Sequence, residues 1–122
     1  MAITIDTHAL IWYLDKNLNS RLSQKAFNAI EEAVSNNVVY VSAIVIMEIM
    51  HISERKRIEL NFKEMLDKIA DSPSYEIVPL DIKIIRAALE FPAIEMHDRL
   101  ICATALSTGS SLVSKDLEIK EN

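Results

Sequence analysis

Hydrophobic positions in this chain fall into runs of two periods. Ile3 and Ile5 alternate with polar Thr4, which fits a short strand, and Val38-Val39-Tyr40-Val41 is apolar on both faces, as in a strand buried within a parallel sheet. Tyr75 to Leu80 and Ser111 to Val113 read as two further strands, with Pro79 ending the third or marking an edge. Between them the spacing turns helical. Helices are predicted from about His8 to Asp15, Ser23 to Ser35, Ala43 to Ile52, Phe62 to Ala70, Ile82 to Phe91, and from Glu95–Asp98 to about Leu106. Ala26, Phe27, Ile30 and Val34 share one face of the second helix.

The punctuation agrees with those runs. Ser42, Asn61 and Asp81 are good N-caps, Asn36-Asn37, Asp71-Ser72-Pro73 and Pro92 are stops, and Gly109 falls where a C-terminal cap needs glycine. Lys16 to Ser20 reads as a polar connection. Strands alternating with helices predict an α/β fold, a three-layer α/β/α arrangement around a mainly parallel sheet of four or five strands.

Composition narrows this. With 122 residues, half of them hydrophobic, and only one Gly and three Pro, residues 1–122 fit one domain with a real core and short loops. A net charge of −5 argues against a large basic nucleic-acid face, but acids gathered around a cation also make a chain acidic. Cys102 is the lone cysteine, set in Leu100-Ile101-Cys102-Ala103, and is expected to pack in the core. Asp6 interrupts the first apolar run, so no secretory signal is expected. No uncharged apolar stretch approaches the length of a membrane span, and the expected location is a reducing cytoplasm.

The acids carry the candidate chemistry. Asp6 follows the first strand, Glu48 lies inside the apolar run Ile44 to Ile52, Asp98 opens the last helix, and Asp116 follows the fourth strand. Right-handed crossovers bring the C-terminal ends of parallel strands to one edge, so the four carboxylates are expected to meet there. Each also has a plainer role. Asp6 can cap a helix, Glu48 can sit at a solvent edge or pair with an Arg, Asp98 can favour a helix dipole (a role that suits Glu95 better), and Asp116 can be a turn residue. Asp81, after the strand with Pro79, is assigned to capping alone. An oxygen-only cluster selects Mg²⁺ or Mn²⁺ over zinc. His97 and His51 lack zinc-ligand spacing and read as a loop residue near the site and a helix-surface residue. Such a site suits phosphodiester hydrolysis, in which the ion neutralises the phosphate and activates a water.

These residues resemble a known family, the PIN-domain nucleases, most closely the VapC-type toxins of prokaryotic toxin–antitoxin pairs. The resemblance rests on Ile5-Asp6-Thr7-His8-Ala9-Leu10-Ile11-Trp12, Ser42-Ala43 with Met47-Glu48-Ile49, His97-Asp98-Arg99-Leu100-Ile101-Cys102-Ala103-Thr104-Ala105 and Leu112-Val113-Ser114-Lys115-Asp116, in the family's order along nearly the whole chain. It implies a Mg²⁺- or Mn²⁺-dependent endoribonuclease with Asp6, Glu48, Asp98 and Asp116 as catalytic and metal-holding acids. Thr7, Ser42, Arg99 and Lys115 are the neighbours expected to support a water or contact phosphate, with ion pairing to the carboxylates an equal alternative for Arg99 and Lys115. It also implies an RNA substrate (tRNA, rRNA or mRNA), a homodimer, and a VapB-like antitoxin that covers the acidic site. The third acid sits in Glu95-Met96-His97-Asp98 rather than the commoner Asp-Pro-x-Asp, a departure that bears on Glu95.

Other readings compete. A haloacid-dehalogenase-like phosphatase shares an Asp after strand one, Ser42 after strand two and a late Lys115-Asp116. That chemistry needs a second acid two residues after the nucleophile, where His8 stands. A housekeeping RNA-processing nuclease and a non-enzymatic α/β ion-binding or interaction module are the remaining alternatives. Arg55, Lys56 and Arg57 form a basic segment that reads as a solvated helix end, or as a surface that steers RNA or meets a partner.

Overall fold

The structure, a computed structural model, describes residues 1–56 and 58–114. Arg57, Lys115 and Asp116 lie outside the described residues. The elements run β1 (Ile3–Ile5), α1 (Thr7–Leu14), α2 (Gln24–Asn36), β2 (Val39–Ser42), α3 (Ala43–Glu54), α4 (Phe62–Asp71), β3 (Tyr75–Val78), α5 (Ile82–Ala87), α6 (Met96–Thr108) and β4 (Ser111–Val113), with 3₁₀ turns at Lys16–Arg21 and Ala88–Glu90.

The strands form one parallel sheet in the order β3-β2-β1-β4. Ile3 pairs with Val39 on one side and Ser111 on the other, which sets β1 in the middle. Both faces of β1 are covered, because Ile3, Thr4 and Ile5 are all 0% exposed although successive side chains point to opposite faces. Helices therefore layer both sides of the sheet, the expected α/β/α arrangement. Thr4 tolerates burial because its hydroxyl hydrogen-bonds Ser110 Oγ at 2.7 Å. The strand carrying Pro79's neighbours, β3, lies at an edge as its sequence predicts.

The core gathers Ile3, Ile5, Leu10, Ile30, Val39, Val41, Val45, Ile49, Ile69 and Val113, with Cys102 packed half-buried against it. Side-chain caps on Asp6, Ser23, Ser42, Asn61, Asp81 and Glu95 start six helices. Gly109 ends α6 with φ 65°, a left-handed conformation that costs an L side chain energy.

Three details depart from the sequence reading. The connection after α1 is a 3₁₀ helix, started by Asp15, whose Oδ1 accepts from the Asn17 N–H at 3.0 Å. The helix predicted over Ile82 to Phe91 gives way at Ala87 to a 3₁₀ turn, and the Arg99 side chain donates from Nε to the Ala88 carbonyl at 2.7 Å. The apolar run of α3 does not bury completely, since Ile49 is 0% exposed but Met47 is 53% and Met50 39% exposed.

Candidate active site

The site starts where β1 ends. The Asp6 N–H donates to the Val113 carbonyl at 3.0 Å, continuing the ladder between β1 and β4 for one more residue. The chain then turns into α1, and Asp6 Oδ1 accepts the Ala9 N–H at 2.9 Å. Asp6 thus does serve as the helix cap, a contact worth about 1 kcal/mol. The cap also fixes the direction of the carboxylate at the end of the central strand.

Thr7 follows, buried at 4% exposure, and its hydroxyl donates to Glu48 Oε1 at 2.8 Å. Glu48 sits in the second turn of α3, started by Ser42, whose Oγ accepts from Ile44 N–H at 3.2 Å. Its side chain is 27% exposed. This resolves how a carboxylate can interrupt an apolar run. One oxygen is held by a buried hydroxyl, and the group stands at the boundary between the core, on the side of Ile49, and solvent, on the side of Met47.

The third wall is the start of α6. Glu95 caps that helix by accepting from the N–H groups of His97 at 3.0 Å and Asp98 at 3.3 Å. The His97 N–H holds the Glu95 carboxyl below its usual range, opposed by desolvation and helped by the Asp98 N–H and the nearby imidazole. His97 belongs to the first turn of α6, not to a loop. Its Nδ1 lies 3.4 Å from Glu95 Oε1 and 3.9 Å from Glu48 Oε2, bridging two of the acids.

These segments enclose a polar pocket of about 260 Å³, lined by Asp6, Thr7, His8, Glu48, Glu95, His97 and Asp98 together with buried Ile101. Asp6, Glu48 and Asp98, each from a different element, therefore meet at one place. Ser42 does not line the pocket; it acts from behind, as the start of α3. Arg99 is turned away, with its guanidinium on the Ala88 carbonyl and its stem along an apolar cleft beside α5. His51 is exposed on α3 and lines a small cavity with Glu48 and His97. His8 had no assigned role in the sequence reading. Its signal is its place, two residues after Asp6 in the first turn of a helix that starts at the site.

The donor set fits a hard cation in chemistry, since its carboxylates offer oxygen. Among the described residues, no three His, Cys, Asp or Glu side chains are drawn together tightly enough to cage an ion. Mg²⁺ does not require such a cage. It keeps several waters and is usually held through one or two carboxylates plus phosphate.

A parallel α/β/α sheet with carboxylates converging beyond the end of its central strand is the class of protein defined so far. The PIN-domain profile matches residues 3–122. Ribonuclease VapC22 of Mycobacterium tuberculosis is 30% identical over 124 residues, covering 98% of this chain and 91% of that protein. The crystal structure of VapBC2 from Rickettsia felis, bound to a DNA fragment from their promoter, superposes with a TM-score of 0.68 at 19% identity, over 92% of this chain and 86% of the other. The chain belongs to the PIN-domain family, and within it to the VapC type.

Proposed function

We propose that the chain is the toxin of a VapBC pair, an endoribonuclease that hydrolyses RNA phosphodiester bonds with Mg²⁺ or Mn²⁺. The observation that carries this reading is the meeting of Asp6, Glu48 and Asp98 in one polar pocket. The identity to a VapC ribonuclease supports the same reaction. When bound, the ion would supply charge neutralisation at the phosphate and a lower pKa for the water that attacks it.

The protein's own groups divide the work. Asp6 and Asp98 are the residues that would hold the ion. Asp6 is directed by its cap bond to Ala9 and Asp98 by the first turn of α6. Glu48 keeps Oε1 on Thr7 and uses Oε2 to orient the attacking water and accept its proton. Asp116 joins this set through its motif position after β4, the neighbour of β1. With Arg99 engaged elsewhere, Lys115 is the cation assigned to phosphate.

Two partners belong to the reading. A VapB-like antitoxin covers the pocket, supported by the fold shared with a chain from a VapBC2 complex. A second copy of the chain covers the apolar face at α5 and α6, supported by exposed Ile85, Leu89 and Met96 lining a cleft of about 450 Å³. Among the described residues no helix is long and apolar enough to cross a membrane.

The deciding experiment uses purified chain freed of antitoxin. RNA should be cut with Mg²⁺ or Mn²⁺ and spared in chelator, and Asp98→Asn should stay folded and inactive. Cleavage by Asp98→Asn at the wild-type rate sinks the mechanism. Expression alone should arrest growth, with relief by the adjacent upstream gene product; absence of arrest points to a housekeeping nuclease instead.

A further inference from the structure

A second cavity adjoins the acid pocket. His8, Ile11, Trp12 and Asp15 fall at helical positions i, i+3, i+4 and i+7, so they form one stripe along α1. That stripe lines an open cleft of about 620 Å³, and His8 lines both this cleft and the acid pocket. The 3₁₀ helix Lys16–Arg21 adds Asn17 and Arg21 to the lining.

We propose that this cleft is a nucleobase subsite, which takes the base of the nucleotide next to the one cut. Trp12 and His8 supply the stacking surface and Arg21 meets the phosphate. The proposal rests on the RNA-cleaving reading above and names the part of the site that would select sequence.

Chemistry and placement favour a nucleotide. Trp12, the sole tryptophan, is half-buried at the cleft rather than enclosed in the core. Its ring meets His8 edge-on, with centroids 6.1 Å apart and planes 62° apart, so the two rings are not stacked in parallel on each other. Bases of single-stranded nucleic acid stack on such aromatic faces. Arg21 is exposed and makes no ion pair among the described residues, in a chain of net charge −5. Asp15 and Glu59 also line the cleft, but neither pairs with this guanidinium, which leaves it able to meet a phosphate oxygen. Asn17 can present both a donor and an acceptor to a base edge. Along the helix axis, Trp12 stands about 6 Å beyond His8, so the stripe leads outward from the acids in step with a strand leaving them.

Trp12 also makes the proposal measurable, because it alone reports tryptophan fluorescence. The full chain is titrated with AMP, GMP, CMP and UMP, which contain no phosphodiester to cut, and with ribose 5-phosphate as the base-free control. At least one nucleotide should quench Trp12 saturably at millimolar concentration, ribose 5-phosphate should not, and Arg21→Gln should weaken the binding several-fold. In RNA cleavage, Trp12→Leu should raise KM roughly five- to a hundredfold and shift the mapped cut sites, while Trp12→Phe restores both toward wild type. No quenching by any of the four nucleotides overturns the proposal. So does quenching only by a peptide from the antitoxin, which makes the cleft a protein-docking groove. These titrations need no catalysis, so a failure to bind bases is distinct from a failure to cut RNA.

Discussion

The hydroxyl of Thr7 reaches Oε1 of Glu48 across 2.8 Å and joins the first turn of α1 to the second turn of α3. The two residues are 41 positions apart, and the bond holds one wall of the acid pocket to the next. Replacing Thr7 with Val keeps the buried shape and removes the donor. Thr7→Val should lose about 1–2 kcal/mol in denaturant unfolding, the worth of a part-buried hydrogen bond to a charged group, and cut RNA more slowly. An unchanged rate would mean that Glu48 needs no partner to act.

Asp6 combines a cap with a proposed ligand, and substitution can separate the two. Asn caps a helix as well as Asp does, so Asp6→Asn should unfold within about 0.5 kcal/mol of wild type yet lose metal-dependent cleavage. Asp6→Ala should lose cleavage and about a further 1 kcal/mol of stability. Paired thermal melts and cleavage assays read both effects. An active Asp6→Asn protein would reduce Asp6 to its capping role.

Alkaline stability should depend on Tyr13. Burial, then its hydrogen bond to Glu31 and that carboxylate's charge, push the phenol well above its ordinary value of 10.0. Tyr75 is raised too, by burial and then by Glu31. With a raised value in the folded state, the unfolded chain gives up its proton first. The stabilisation is therefore complete below pH 10 and is lost as pH rises through the folded-state value. The melting temperature should fall above pH 10, and Tyr13→Phe should flatten that fall. Parallel curves for the two proteins would remove Tyr13 from the account.

Gly109 holds φ 65° at the end of α6, and a Cβ placed there would meet nothing within 4 Å. The cost of Gly109→Ala is thus conformational only, about 1 kcal/mol, or a melting point lower by about 3–5 °C. Calorimetry of the two proteins checks this, and a neutral substitution would show that the turn can relax.

The proposed dimer face is tested at Leu89, which is 70% exposed. Leu89→Asp should leave the monomer's stability within about 0.5 kcal/mol, as surface changes do, and should abolish association in sedimentation. A wild-type chain that sediments as a monomer would assign the face elsewhere.

Much of this arrangement was legible because local chemistry and fold agreed. β-branched runs gave the strands, and Ser42, Asn61, Asp81 and Gly109 marked helix ends that the structure keeps. The placing of Asp6, Glu48 and Asp98 followed from parallel topology alone. Distant partners were not legible. The Arg99 bond to Ala88 crosses 11 positions and turns the side chain away from the acids, and no spacing rule contains it. The exposure of Met47 was hidden for a related reason, since an apolar residue reads the same whether it faces a core or an unfilled surface. The place of His8 between two cavities was not legible, because one of them is lined in part by the 3₁₀ helix, which reads as plain polar connection.

Asn19 gives this region a further property. Its side-chain amide donates to the carbonyls of Trp12 at 2.7 Å, Tyr13 at 3.1 Å and Asp15 at 3.2 Å, gathering the open end of α1. One side chain thereby sets where the helix stops. If the cleft takes a base as proposed, the span from the acids to its far side would be a fixed gauge, graduated in helical turns, against which a bound strand is measured. Loosening Asn19 would leave every acid in place and blur the measurement.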